Sequence, residues 1–299
     1  MSDTEHTGLV VAAHGRHVIV ETTEAHRVLC HSRGKKSELV VGDRVRWSPA
    51  GDEGVIAGLE PRRNLLFRSD EWRSKSFAAN LDQLLVLVAG EPVFGESQLT
   101  RALVAAAEAG IPTLIGLNKI DLPATDAARA RLAPYGRMGV KVIELALKAQ
   151  PDRSHDTLLP LLTGKTTLVL GPSGMGKSTL INLLLPHAAV QVGEISKALN
   201  AGRHTTTTTK WYWLDDARSG ALIDSPGFQE FGLRQVPADR LASLMPDLAA
   251  APEPCRFYNC THRSEPGCGV RAAVERGEIA ATRYRIYLEL FEELTQKRW

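Results

Sequence analysis

Short apolar runs separated by polar turns fill the first 70 residues of the chain. Five of these runs are typical of strands, at residues 8–13, 17–22, 25–31, 43–47 and 54–57. The run at 43–47 alternates polar and apolar side chains with a period of two, as a half-buried strand does. Five short strands in about 60 residues predict a small closed barrel of the oligonucleotide-binding kind. An SH3-like barrel, or a β-domain that only supports its neighbour, would give a similar pattern.

From residue 71 onward, apolar runs alternate with stretches of helical character. Residues 81–88 resemble a buried parallel strand, and residues 97–109 predict a helix that Ser97 caps and Gly110 ends. Further strands are predicted at 111–117, 141–145, 166–170, 211–214 and 221–223. This alternation predicts a mostly parallel sheet with helices on both faces. Beyond residue 233, helical segments, the last at 280–296, surround a group of cysteines.

A glycine-rich segment follows the predicted strand at 166–170. It matches G-x-x-x-x-G-K-[ST] and consists of Gly171, Pro172, Ser173, Gly174, Met175, Gly176, Lys177 and Ser178, with Thr179 next. Glycines let backbone N–H groups turn toward phosphates, and the N-terminus of the following helix adds positive potential. We expect Lys177 to act in catalysis by reaching the β- and γ-phosphates, and Ser178 to bind Mg²⁺.

A phosphate loop alone does not distinguish ATP from GTP, but the segment Asn118-Lys119-Ile120-Asp121 does. It lies at the carboxyl end of the predicted strand at 111–117. A carboxylate there accepts hydrogen bonds from N1–H and the 2-amino group of guanine, whereas adenine would leave Asp121 unpaired. The pair of motifs therefore predicts a GTP site.

A second acidic turn follows the short predicted strand at 221–223. Asp224 suits the Walker-B role of holding Mg²⁺ through water, and the amide of Gly227 can sense the γ-phosphate. The threonines 205–209 lie between this turn and the phosphate loop, where switch I of a GTPase supplies a further Mg²⁺ ligand. The guanine motif precedes the phosphate loop, so the order of motifs is circularly permuted, which surface termini allow.

Three of the four cysteines lie within 14 residues, while Cys30 stands alone in a predicted strand, where we expect it to be half-buried. Cys255, Cys260, His262 and Cys268 form C-x₄-C-x-H-x₅-C. Three thiolates and an imidazole make a closed tetrahedral site, which suits one structural zinc ion and leaves no open position for catalysis.

Composition and charge narrow the class of protein. Hydrophobic residues make up 43% and charged residues 23%, a globular mixture that excludes wholesale disorder. The net charge is only +2, without blocks of like charge, so composition alone does not indicate nucleic-acid binding. No apolar run reaches the roughly 18 residues of a membrane-spanning helix, and the first residues lack a secretory signal. We therefore expect a soluble, cytoplasmic protein without a membrane partner.

Together these motifs closely resemble the ribosome small-subunit-dependent, circularly permuted GTPase family of bacteria. The resemblance covers nearly the whole chain and implies an oligonucleotide-binding barrel at 1–70, a permuted phosphate-loop GTPase domain at 71–233 and a helical zinc-binding domain at 234–299. It further implies a monomer that hydrolyses GTP in late maturation of the small ribosomal subunit, that contacts its rRNA, and whose activity the subunit stimulates.

The chain departs from the family pattern in three places. Met175 replaces a small branched residue, a change of volume that we expect to be tolerated. The segment 146–148, which would back the guanine, reads Ala-Leu-Lys and lacks the usual serine, a loss that we interpret as mild because contacts there are largely made by backbone. The threonine run is longer than the family's three, and among its members we favour Thr207 as the Mg²⁺ ligand, with Thr206 next.

Hydrolysis without a partner should be slow. Phe228 follows the Asp224–Gly227 turn where Ras-like enzymes have a glutamine that orients water, and an apolar ring cannot do so. His204 in switch I is the best polar substitute, and the family resemblance indicates the same residue; the alternative is an exposed loop histidine. Three classes of function remain: a ribosome maturation GTPase, a similar GTPase acting on another RNA or protein, and a non-enzymatic zinc and RNA-binding module. Intact Lys177 and Asp121 argue against the last.

Overall fold

The N-terminal segment closes into a five-stranded barrel in the computed structural model, which describes residues 5–15, 17–32, 38–69, 74–185, 209–225 and 232–296. Its strands are β1 (His6–His14), β2 (His17–Thr22), β3 (Arg27–Ser32), β4 (Arg44–Ala50) and β5 (Glu53–Leu59). Strand β1 pairs with both β2 and β4, and β3 runs parallel to β5. This closure, in the order β1-β2-β3-β5-β4, confirms the predicted oligonucleotide-binding arrangement. Cys30 is fully buried in the barrel core, deeper than the half-buried position expected.

A separate hairpin of β6 (Leu65–Ser69) and β7 (Ser74–Ala79) leads from the barrel to the main sheet. The hairpin is tied to the barrel, because Val41 bridges to Ala78 and the Asn80 side chain donates to the Gly42 carbonyl at 2.8 Å. The predicted division after residue 70 falls between these two strands, outside the described residues. That boundary stays a prediction.

The main sheet contains the predicted strands of the second segment. They are β8 (Gln83–Ala89), β9 (Thr113–Asn118), β10 (Lys141–Glu144), β11 (Thr166–Leu170), β12 (Lys210–Trp213) and β13 (Ala221–Asp224). Their order is β10-β9-β8-β11-β13-β12, parallel except for the antiparallel pair β12–β13. Every residue of β8 is buried, as expected for a central parallel strand. The carboxyl ends of β9, β11 and β13, which carry the three nucleotide motifs, therefore lie at one edge of the sheet.

Helices α1 (Glu96–Glu108), α2 (Thr125–Arg137), α3 (Pro151–Leu162) and α4 (Lys177–Leu184) connect the parallel strands. Helix α1 differs from the prediction at its start. Gly95, not Ser97, is its N-cap, and no side chain caps it, so Ser97 lies in the first turn. Its end is as predicted, since Gly110 has a positive φ of 67°. No helix among the residues described is both long and apolar enough to cross a membrane.

Strand β12 joins the sheet to the barrel. Lys210 pairs with Asp224 on one side and with Ala12 of β1 on the other. The buried carboxylate of Glu21 in β2 accepts a hydrogen bond of 2.7 Å from the Trp213 indole. The barrel and the sheet are thus linked by backbone pairing and by a buried polar contact.

The last segment is helical, as predicted. Two 3₁₀ turns (Ala238–Arg240 and Ala242–Leu244) are followed by α5 (Pro246–Ala249), α6 (Gly269–Glu275) and α7 (Ala281–Thr295). Arg283 of α7 is buried and joins this segment to the sheet domain. Its guanidinium donates to both carboxylate oxygens of Asp247 (2.8 and 3.1 Å) and to the Thr100 hydroxyl (2.6 Å), and lies 4.9 Å from the centre of the Tyr135 ring.

Candidate nucleotide and zinc sites

The phosphate loop runs from β11 into α4 through backbone that requires glycine. Gly171, Gly174 and Gly176 have φ values of 154°, 80° and 105°. A Cβ atom at Gly171 would lie 2.5 Å from the Leu87 carbonyl oxygen, and one at Gly176 would lie 2.3 Å from the Asn118 amide nitrogen. The loop can therefore approach its neighbouring strands only because these positions lack side chains.

Lys177 begins helix α4, and its ammonium group lies against the loop. The Nζ atom donates to the Gly171 carbonyl and, at 3.2 Å, to the Pro172 carbonyl. Burial lowers the pKa of Lys177, and the charge of Asp224 opposes that shift. A half-buried cation at a helix N-terminus is the arrangement that binds phosphate oxygens.

Asn118 holds the guanine motif against the phosphate loop. This buried side chain donates to the Met175 carbonyl at 2.8 Å and accepts from the Leu147 backbone N–H at 3.1 Å. Lys119 has a positive φ of 62°, and its Nζ donates to the Glu91 carbonyl at 2.7 Å. One amide thus fixes three segments of the sheet edge with respect to one another.

A cavity of about 540 Å³ lies where these segments meet. It is lined by Asn118, Lys119, Asp121, Leu122, Leu147, Lys148, Ser173, Gly174, Gly176, Lys177, Ser178 and Thr179. The guanine motif and much of the phosphate loop therefore face one space, although they are far apart in the sequence. Gly171, Pro172 and Met175 shape the loop from behind, and Met175 is buried, as a core residue would be.

Asp224 ends β13 beside Val169 of the phosphate-loop strand. Desolvation raises the pKa of Asp224 to about 6, while the charges of Lys177 and Lys210 lower it. Carboxylate and hydroxyl oxygens are the ligands that Mg²⁺ takes beside nucleotide phosphates, so Asp224 and Ser178 fit that ion. The other predicted residues of this region, His204, Thr207, Gly227 and Phe228, lie outside the described residues.

The four predicted zinc ligands do come together. The Nδ1 atom of His262 lies 3.4 Å from the sulfurs of both Cys255 and Cys268, and those sulfurs are 3.9 Å apart. All four ligand atoms, including that of Cys260, lie within 4.8 Å of one another. A tetrahedral zinc site has edges of about 3.8 Å between sulfurs and about 3.5 Å between sulfur and nitrogen, from its usual bond lengths. The donor set and its spacing therefore fit zinc.

Groups around these ligands hold the cysteine loop in place. From α7, Tyr284 donates to the His262 carbonyl at 2.6 Å and Tyr287 to the Thr261 carbonyl at 2.8 Å. Burial raises the pKa of Cys255, but hydrogen bonds from the backbone of Val270 and Gly269 bring it below the usual thiol value. The motif spacing gave no sign of the two tyrosines; only their helical separation of three residues, which places them on one face, could have indicated a shared role.

Comparisons with known proteins agree with this geometry. The family model of the RsgA GTPase matches residues 59–234. The small ribosomal subunit biogenesis GTPase RsgA of Variovorax paradoxus is 58% identical, with 98% of this chain and 94% of that protein covered. The protein of the same name from Bordetella pertussis is 54% identical, with 98% of each chain covered.

Two solved structures share the whole architecture. YjeQ from Thermotoga maritima superimposes with a TM-score of 0.75 at 30% identity, covering 99% of this chain and 100% of that one. YloQ, described as a circularly permuted GTPase, gives a TM-score of 0.71 at 26% identity, covering 99% and 98%. These likenesses confirm the permuted order of the motifs.

Proposed function

Because the chain belongs to the RsgA GTPase family, we propose that it hydrolyses GTP to GDP and phosphate as a factor in biogenesis of the small ribosomal subunit. The family resemblance inferred from the motifs is confirmed. The observation that carries the proposal is the single cavity shared by Asp121 and Lys177, held together by Asn118. Its action late in subunit maturation, with turnover stimulated by the subunit, is part of the proposal.

Each nucleotide-binding role follows from the chemistry of the cavity. Asp121 accepts from guanine, Asn118 and Lys119 fix the motif that carries it, and the backbone from Gly171 to Thr179 surrounds the phosphates. Lys177 binds the β- and γ-phosphates, and Ser178, Asp224 and Thr207 hold Mg²⁺. When bound, Mg²⁺ neutralises charge that develops on the transferred phosphoryl group.

The rest of the molecule serves the partner. We assign RNA contact to the barrel at 1–70, nucleotide chemistry to 71–233 and one structural zinc ion to 234–299. The partner is the small subunit with its rRNA, which the protein meets in the cytoplasm as a monomer. The same fold could serve another RNA or protein partner, and this alternative predicts a GTPase that small subunits do not stimulate.

Steady-state GTP hydrolysis with and without purified small subunits tests the proposal. We expect slow turnover alone and strong acceleration by small subunits but not by large ones. GTP hydrolysis that small subunits leave unchanged would favour the alternative partner. Absence of any hydrolysis under both conditions would leave only a binding module.

His204 is the residue that we propose acts in stimulated hydrolysis. His204→Ala should lower the subunit-stimulated rate by about 10²-fold, the usual contribution of a group that positions or deprotonates water. GTP affinity should stay the same, because binding depends on Asp121 and the phosphate loop. His155→Ala, at an exposed site on α3, is the matched control. A stimulated rate that survives the first substitution would remove His204 from the mechanism.

A further inference from the structure

Two adjacent aromatic side chains project from the cysteine loop into solvent. Tyr258 is fully exposed and Phe257 is 41% exposed. Among the described residues, the other large hydrophobic side chains with comparable exposure are aliphatic and isolated: Leu59, Val93 and Leu159. Both rings lie between zinc ligands Cys255 and Cys260, so a bound metal would hold their backbone rigidly. A rigid, exposed aromatic pair is an unusual surface for a side-chain class that is otherwise buried.

Two arginines accompany these rings. The guanidinium carbon of Arg256 lies 5.6 Å from the centre of the Phe257 ring, and that of Arg263 lies 5.5 Å from the Phe291 ring. Within the part of the chain that the structure describes, neither guanidinium forms an ion pair. Neighbouring arginines differ, since Arg276 pairs with Glu278 and Arg285 with Glu289. The two positive charges beside the rings are therefore available to an anionic partner.

A cleft of about 860 Å³ opens beside the rings. It is lined by Phe257, Tyr258 and Asn259 together with small apolar residues such as Ala238 and Ala242. Asp239 also lines the cleft and would repel a phosphate, whereas neither Arg256 nor Arg263 lines it. The cleft thus suits a flat, uncharged ring, and the positive charges lie outside it.

We propose that this zinc-loop tip, residues 256–259 with Arg263, binds unpaired RNA by stacking one or two bases on Tyr258 and Phe257 while the arginines contact the flanking phosphates. Single-stranded RNA is recognised in this way, by aromatic platforms beside basic side chains. A peptide would meet the same aromatic rings, but it would not supply regularly spaced negative charge outside a cleft for flat rings. The proposal rests on the proposed function for its RNA partner.

Photo-crosslinking locates the contact directly. The full-length zinc-loaded protein is irradiated with a 12-nucleotide single-stranded RNA that carries 5-iodouridine, and crosslinked tryptic peptides are identified by mass spectrometry. We expect a crosslink in peptide 257–263, which the Tyr258→Ala/Phe257→Ala double variant loses. Crosslinks confined to the barrel residues would overturn the proposal.

Binding titrations separate stacking from charge. Tyr258→Ala should weaken binding of the labelled 12-mer about tenfold, Tyr258→Trp should restore it, and the slope of affinity against salt should stay unchanged. Arg256→Ala should instead reduce that salt slope by about one unit. Leu159→Ala and Arg285→Ala, at exposed sites elsewhere, are the matched controls. Affinity of Tyr258→Ala equal to that of the controls would contradict the stacking role.

Two further measurements keep the outcomes distinct. Zinc content and basal GTP hydrolysis of each variant show whether the loop and the chain remain folded, and we expect both to be unchanged. Loss of small-subunit binding with normal binding of the 12-mer would assign the tip to a ribosomal protein and overturn the RNA proposal. If the subunit fails to stimulate the wild-type protein, the proposed function fails, but the RNA titration still stands on its own.

Discussion

The nucleotide site and the zinc site differ in what holds them in place. The nucleotide site lies at the edge of a parallel sheet, where Asn118 bonds to Met175 and Leu147 and the buried strand β8 lies beneath. The zinc ligands come from one loop of 14 residues with little apolar core of its own. The fold therefore shapes the first site, whereas the metal shapes the loop that carries the second.

This difference predicts opposite consequences of mutation. A substitution in the nucleotide site should remove function and leave the fold, because hundreds of other contacts keep the sheet intact. A substitution of a zinc ligand should remove local structure, because metal binding energy is folding energy in such loops.

Cys255→Ser should have the largest effect. Structural zinc contributes about 10–16 kcal/mol in small metal-bound domains, so loss of one thiolate should unfold the loop. We expect hydrogen exchange to lose protection over residues 255–268 and elemental analysis to show little zinc. GTP affinity should change less than about threefold, because the sites are distant.

Cys30→Ala is the matched control for this experiment, since Cys30 lies in the barrel core and away from the cluster. It should retain one zinc ion per chain. Full zinc content and normal exchange in Cys255→Ser would show that the loop is held by Tyr284 and Tyr287 rather than by the metal.

Lys177→Ala probes the other side of the comparison. Removal of the ammonium group from the phosphate loop should lower the turnover number about 10³-fold, as loss of a charge-stabilising group at a transferred phosphoryl does. Circular dichroism and the unfolding midpoint should match the wild type. Lys141→Ala, at the exposed start of β10, is the control. A cooperative loss of structure in Lys177→Ala would show that the site also supports the fold.

Asp121→Asn should cost about 10²-fold in GTP affinity, because two hydrogen bonds to guanine are lost and a donor faces a donor. Xanthosine triphosphate carries an oxygen at the 2-position, so its affinity for the variant should rise. Calorimetric titration of both nucleotides on both proteins checks the exchange. Equal GTP affinity in variant and wild type would remove Asp121 from base recognition.

Much of this architecture could be predicted because its signals are local. The buried strand β8 and the glycine ends of helices follow from residues that are neighbours in sequence, and the three motifs mark strand ends. The joining of sites could not be predicted in this way. Arg283 reads as a surface arginine on an amphipathic helix, yet it is buried against Asp247 and Thr100. Contacts between segments so far apart leave no periodic trace.

Two details show where local rules were overridden. Ser97 has the chemistry of a cap, but α1 begins one turn position earlier, after Gly95. The domain division after residue 70 was placed where composition changes, whereas the β6–β7 hairpin spans that position and binds the barrel through Asn80. In both cases tertiary contacts decided what propensity left open.

Ala146→Ser should have the smallest effect, and it tests whether backbone or side chain holds the guanine end of the nucleotide site. The Leu147 N–H is already fixed by the Asn118 side chain, and the Ala146 N–H donates to the Ser154 hydroxyl at 3.1 Å. A serine hydroxyl at this buried position gains about one hydrogen bond and loses its hydration, so the two terms nearly cancel. GTP affinity by calorimetry should change less than about threefold, as for Ala149→Ser at the exposed neighbouring site. Tightening by tenfold or more would mean that the missing serine matters, and that the sheet edge alone does not complete the site.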